Sequence, residues 1–158
     1  MLVVSDTSPI TNLIQVGHLH LLNLIFQEII ITDKVYAELC QLPEQQEILT
    51  AEIWIIRRSP KNKDLIAELE EQIDSGEAAS IVLALEINAD QLLIDEKKGR
   101  AVAQSFGLKI TGLLGILLRA KKDGYLDLVK PVLDNLMTKT SFRVRPQLYY
   151  EVLDIAGE

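Results

Sequence analysis

Cysteine is almost missing from this sequence. Cys40 stands alone, which excludes an internal disulfide framework, leaves no CxxC pair, and is compatible with a reducing cytosol. Histidine is nearly as scarce: His18 and His20 flank Leu19 near a helix start, with no other ligand type nearby, and read as helix-end residues. Aromatic residues make up 5% of the chain. Trp54 and the Tyr149-Tyr150 pair read as packing groups rather than base-stacking platforms. No apolar run approaches the ~18 residues of a membrane span. The opening MLVVSDTSPI lacks the basic n-region and long apolar segment of a signal peptide, so the expectation is a soluble, cytoplasmic protein. Neither the GxxxxGK[ST] of a phosphate loop nor the GxSxG of a hydrolase elbow occurs, and Gly112-Leu-Leu-Gly115 is only a GxxG.

What is present is material for a core. At 158 residues the length prior favours one domain, and such a chain buries roughly 68–70% of its unfolded surface without help from disulfides or metal. Hydrophobic residues make up 48% and the mean hydropathy is +0.17. The net charge of −7 looks wrong for a nucleic-acid binder, but it is unevenly spread. Residues 64–96 hold ten of the 23 acids and no Lys or Arg, while residues 97–145 hold eleven of the 16 basic residues and three acids. Two readings fit: two solvated helical faces, or a metal site beside a polyanion surface.

Short β-branched runs alternate with helical patterns. LVVS, EIIIT (28–32), IWIIRRS (53–59), QLLID and LKIT (108–111) read as strands. Helical spacing follows Pro9, appears in HLHLLNLIF, and resumes at DKVYAELC, where Asp33 looks like an N-cap and Pro43 like a stop. Further helices are expected over 64–73, in SGEAASIVLALEINA, EKKGRAVAQSFG, GLLGILLRAKKDG and DLVKPVLDNLMTK, and at the end of the tail after a short extended piece. This alternation predicts an α/β fold, a parallel sheet with helices on both faces.

In such sheets ligands bind outside the carboxyl ends of the strands. Asp6 stands there after LVVS, and Asp95 closes QLLID. Two carboxylates held ~4 Å apart repel by about 4 kcal/mol at an effective dielectric near 20, an arrangement that makes sense around a divalent cation taking oxygen ligands. The alternative is that each acid caps the helix after it. Haloacid-dehalogenase-type phosphatases also open on an apolar strand ending in a nucleophilic Asp, but they need a second Asp two residues on, where Ser8 stands.

Taken in order, SDTSPI, VYAEL, DSGEAASIVLAL and LLIDEKKGR resemble the PIN domain over nearly the whole chain. Within it, the sequence is similar to the prokaryotic group that opens with SDTSP and carries a TGLLGILLRAKKDG-like segment, relatives of toxin-type ribonucleases. The resemblance implies a three-layer α/β/α fold with a central, mostly parallel twisted sheet. It implies one domain over 1–158, with a core of about 1–125 and extra C-terminal helices over about 126–158. It also implies Mg²⁺- or Mn²⁺-dependent cleavage of single-stranded RNA, a homodimer, and a small antitoxin protein as partner. Carried over by position, the acids that bind metal and catalyse are Asp6, Glu38, Glu77 and Asp95, with Thr7 or Ser8 as the supporting hydroxyl and Asp74 and Glu96 as reserve ligands.

Glu38 and Glu77 each also fit a purely structural role. Glu38 has Lys34 at i−4, which would make a surface ion pair. Asp74-Ser-Gly-Glu77 fits a capping box. The third acid is more often Asp in toxin-type members, and the segment after Asp95 departs from the usual toxin sequence. Just past the site, Lys97, Lys98 and Arg100 are placed to hold the RNA backbone, with Arg119, Lys121 and Lys122 further out; such contacts position phosphates without reading bases. The rival reading is a non-catalytic PIN-like module that binds RNA or a protein, marked by loss of the metal site, whereas here all four positions are acidic.

Overall fold

The computed structural model describes residues 1–158. Five strands, β1 (Val3–Ser5), β2 (Ile29–Ile31), β3 (Ile55–Arg57), β4 (Gln91–Leu93) and β5 (Ile110–Thr111), form one sheet in the order β3-β2-β1-β4-β5. Every pairing is parallel, so the sheet is parallel throughout rather than mostly so. The register sets Val4 against Ile30 on one side and Leu92 on the other, and Ser5 against Leu93.

Alternation along these short strands divides the core in two. Val3, Ile29, Ile31 and Leu93 face a cluster that includes Ile10, Leu13, Leu21, Leu22, Ile116 and Leu133. These come from α1 (Thr7–Gln15), α2 (His20–Phe26), α8 (Leu113–Lys122) and α9 (Val129–Lys139). The same cluster takes Val35 from α3 (Asp33–Leu39), Leu49 from α4 (Pro43–Ala51) and Val152 from α10 (Pro146–Ile155). Val4, Ile30, Leu92 and Ile94 point the other way, onto α5 (Lys63–Leu69), α6 (Ser75–Glu86) and α7 (Lys97–Ser105). The result is the expected three-layer α/β/α arrangement. Helices α9 and α10 do not trail away from it: Val129, Val132, Leu133 and Leu136 are buried in the first cluster with Val152.

At three places the local structure departs from the expected pattern. Helix α4 was not expected, because its apolar stripe is thin: only Gln45 and Leu49 are buried, and the informative signal was Pro43 at its first turn. Helix α5 ends at Leu69, short of residue 73. The cap of α3 is Thr32, whose hydroxyl oxygen accepts from Val35 N at 3.1 Å, while Asp33 pairs with Arg57 at 2.9 Å. The extended piece before α10 adds no strand to the sheet. No helix is long and apolar enough to cross a membrane.

Candidate active site

Because β1 and β4 are neighbours in parallel register, their carboxyl ends lie side by side. Asp6 N donates to Leu93 O at 2.9 Å, and Asp95 follows Leu93 by two residues. The Asp6 side chain is 4% exposed and occupies the N-cap position of α1 without making a side-chain cap bond. Burial pushes its pKa up to about 7, helped by the nearby charges of Asp74, Glu38 and Asp95. Those three groups come from different elements, so the topology has gathered acids that are far apart in sequence.

Glu77, in the first turn of α6, is likewise buried and pushed up to about 8, first by desolvation and then by the charges of Asp74, Asp6 and Glu96. Asp74 caps α6, its Oδ1 accepting from Glu77 N at 2.8 Å. Half of the expected capping box is therefore made, but the Glu77 carboxylate is turned toward the acid cluster. Glu38 is half-buried and accepts a short hydrogen bond from Thr7 Oγ1; it forms no ion pair with Lys34. Thr7, not the exposed Ser8, is thus the hydroxyl in contact with a site carboxylate.

Asp95 behaves differently from a simple cap on the next helix. Its Oδ1 accepts from Leu113 N at 2.8 Å, which fastens it to the start of α8 rather than α7. Burial raises its pKa, while the Leu113 bond and the Arg100 guanidinium oppose the shift. Its Oδ2 is buried with no hydrogen-bond partner in the chain. A buried carboxylate oxygen left unpaired is costly, and a bound cation would satisfy it.

Three glycines make room for these acids. A Cβ at Gly76 would lie 2.5 Å from Glu38 Oε1, one at Gly99 2.9 Å from Glu77 Oε2, and one at Gly112 2.7 Å from Asp95 Oδ1. Gly112 stood out in the sequence only as part of a GxxG and Gly76 not at all, whereas Gly99 carried a signal: it sits inside α7, where glycine costs roughly 1 kcal/mol relative to alanine. An Ala at a solvent-facing helical position would be stabilising by that amount. At Gly99 its methyl would also meet Ile94 Cδ1 at 2.7 Å. Gly99→Ala is therefore expected to destabilise the protein by about 1–3 kcal/mol through overpacking, a reversal of sign readable by urea denaturation.

The donor set is made of carboxylates, which suits a hard divalent cation, and the unpartnered Asp95 oxygen fits such an ion. The amino-terminal ends of α1, α6, α7 and α8 border the cluster, and their dipoles partly offset the concentrated negative charge. The side chains do not yet converge, however, since no three His, Cys, Asp or Glu residues are positioned as a ready metal-holding group. Glu38 is committed to Thr7 and one Asp95 oxygen to Leu113 N, leaving Asp6, Glu77 and Asp95 Oδ2 as the uncommitted groups. Asp74 and Glu96 are exposed at the border and reach the cluster through their charges.

The expected RNA-binding cations separate in space. Lys97 and Arg100 line one recess beside Asp95, and Lys98 lines another with Glu77 and Glu96. Arg119 pairs with Asp123 at 2.6 Å and Lys121 with Glu158 at 2.9 Å, so two of the three more distant cations are internally paired. No curated protein matches the sequence, whereas a family model described as DUF3368, a PIN domain, matches residues 2–158.

Proposed function

This chain belongs to the PIN-domain family, and on that premise we propose that it is a metal-dependent endoribonuclease acting on single-stranded RNA. The observation that carries this reading is the gathering of Asp6, Glu38, Glu77 and Asp95 at the carboxyl edge of the sheet, near enough for charges to be felt between elements though short of a ready metal-holding group. There burial, and then the charges of neighbouring acids, raise the pKa values of Asp6 and Glu77, and one buried oxygen lacks a partner. We place the protein with the toxin-type relatives that open on SDTSP, as a cytoplasmic homodimer silenced by a small antitoxin protein. We read residues 1–158 as one domain in which the C-terminal helices complete the first core cluster.

Asp6, Glu38, Glu77 and Asp95 would hold Mg²⁺ or Mn²⁺, with Thr7 orienting Glu38 and Leu113 N orienting Asp95. When bound, the ion supplies Lewis-acid activation of water and charge neutralisation at the attacked phosphate. One of the carboxylates, Asp95 or Glu77, orients the attacking water and accepts its proton. The water oxygen bonds to phosphorus, the bond from phosphorus to the neighbouring ribose oxygen breaks, and that oxygen takes a proton from solvent water, while the carboxylate returns its proton to solvent. Lys97 and Arg100 steady the flanking backbone.

The direct test is incubation of the purified protein with labelled single-stranded RNA in Mn²⁺, in Mg²⁺ and in EDTA, beside calorimetric Mn²⁺ titration. Saturable Mn²⁺ binding with cleavage that EDTA stops is the expected result. Absence of both binding and cleavage would favour the non-catalytic PIN-like module, a reading supported by the incomplete convergence of the carboxylates.

A further inference from the structure

The segment Asp95-Glu96-Lys97-Lys98 divides two recesses, and alternate residues face opposite ones. Asp95 and Lys97 line a cavity of about 800 Å³ together with Arg100, Gly112, Phe142 and Arg143. Glu96 and Lys98 line a smaller one of about 370 Å³ with Glu70, Glu71, Asp74 and Glu77. The first carries three cations against one acid, the second five acids against one cation. A polyanion is drawn to the first and repelled by the second, so this asymmetry gives the acid cluster a side from which RNA is favoured to enter.

The wall of the larger cavity opposite α7 is built by the segment between α9 and α10. Phe142 N donates to Thr140 Oγ1 at 3.0 Å. Arg143 Nη1 donates to Met137 O, Thr140 O and Phe142 O at 2.9, 2.9 and 2.8 Å. These bonds fix the turn and hold an aromatic ring and a guanidinium at the cavity. Arg100 is held across from them by its bond to Ile94 O at 3.2 Å. The volume lies within the ~300–1,000 Å³ of ligand pockets and accommodates a nucleotide.

We infer that this cavity is a nucleotide subsite for single-stranded RNA. The base of a nucleotide next to the cleaved bond stacks on Phe142, and its phosphate is held by Lys97, Arg100 and Arg143. The inference rests on the ribonuclease reading and assigns to the C-terminal segment a direct part in substrate binding. Stacking of this kind tolerates every base, so the subsite positions RNA without selecting its sequence.

The test is fluorescence anisotropy with a labelled single-stranded RNA of mixed sequence, in EDTA, on the wild type, Phe142→Leu and Phe142→Tyr. Leucine keeps the apolar packing and loses the aromatic face, whereas tyrosine keeps both. Phe142→Leu is expected to weaken binding by about 5- to 100-fold, with Phe142→Tyr close to wild type, and in Mn²⁺ turnover to raise KM rather than lower kcat. Lys97→Ala, at an exposed position, should weaken binding and reduce the salt slope by about one unit. If Phe142→Leu and Lys97→Ala both bind as the wild type does, the subsite is refuted while the ribonuclease reading stands. Binding sensitive to Phe142 without any cleavage would do the opposite, and a wild type that binds no RNA would overturn both.

Discussion

Asp6→Asn is expected to make the metal-free protein more stable while abolishing Mn²⁺ binding and lowering RNA cleavage by more than ~100-fold. Asp6 makes no side-chain cap bond, so the start of α1 does not depend on its carboxylate, and an isosteric asparagine removes only the charge. That charge is buried among acids, and its pKa of about 7 means that the ionised form is disfavoured in the fold. At pH 8, where Asp6 is mostly ionised, relief is worth up to about 4 kcal/mol at ~1.4 kcal/mol per unit of pKa. For a domain of this size each kcal/mol corresponds to roughly 2–4 °C in Tm. The activity loss follows from removing a ligand outright, since disturbing only the groups that orient a metal's ligands already costs 10–100-fold.

Asp95→Asn provides the contrast. The Asp95 carboxylate is partly supported by Leu113 N and Arg100, so neutralising it relieves less repulsion and forfeits some attraction. It should give a smaller stability gain than Asp6→Asn with an equal loss of metal binding. Thermal melting in EDTA and calorimetry of both variants separate these effects. A melting temperature for Asp6→Asn at or below that of the wild type would mean that the Asp6 carboxylate is solvated and carries no burial penalty.

The sheet was legible because each strand is a compact run of β-branched or aliphatic residues bounded by polar ones, and because helices separate the strands. Asp6 and Asp95 were legible for the same reason: an acid that ends a buried strand has few places to go. Glu38 and Glu77 were not, since a carboxylate on an amphipathic helix carries no local mark that distinguishes a site from a solvated face. Their placement depends on α3 and α6 meeting at Gly76, a contact between residues distant in sequence. Phe142 was hidden for a related reason. Its neighbours Thr140 and Arg143 fix it through a turn that has no periodicity to read, and the cavity it borders exists only once α7, β5 and the 140–145 segment are brought together.

Metal-free protein should lose stability as pH rises from about 5 to about 8. Asp6 and Glu77 have folded-state pKa values of about 7 and about 8, above their ordinary 3.8 and 4.5. Over the interval between ordinary and folded values the native state binds more protons than the unfolded one, and stability therefore falls with increasing pH. Their contribution is fully present below about pH 4 and is lost as pH passes through 7 and 8. Asp33 and Asp134 have the opposite shift. Hydrogen bonds from Ser59 and Arg57, and from Lys130 and Tyr149, hold them below the usual carboxylate range. Their stabilisation disappears only in acid, below the window in question. Divalent metal should flatten or reverse the trend, because it binds the deprotonated carboxylates and at a thousandfold excess over Kd adds about 4 kcal/mol. Melting curves at pH 5, 6.5 and 8, in EDTA and in saturating Mn²⁺, measure both effects. A metal-free Tm that is level or rising across that range would show that Asp6 and Glu77 are not held buried with raised pKa values, and an Asp6→Asn variant with an unchanged slope would remove Asp6 from the cause.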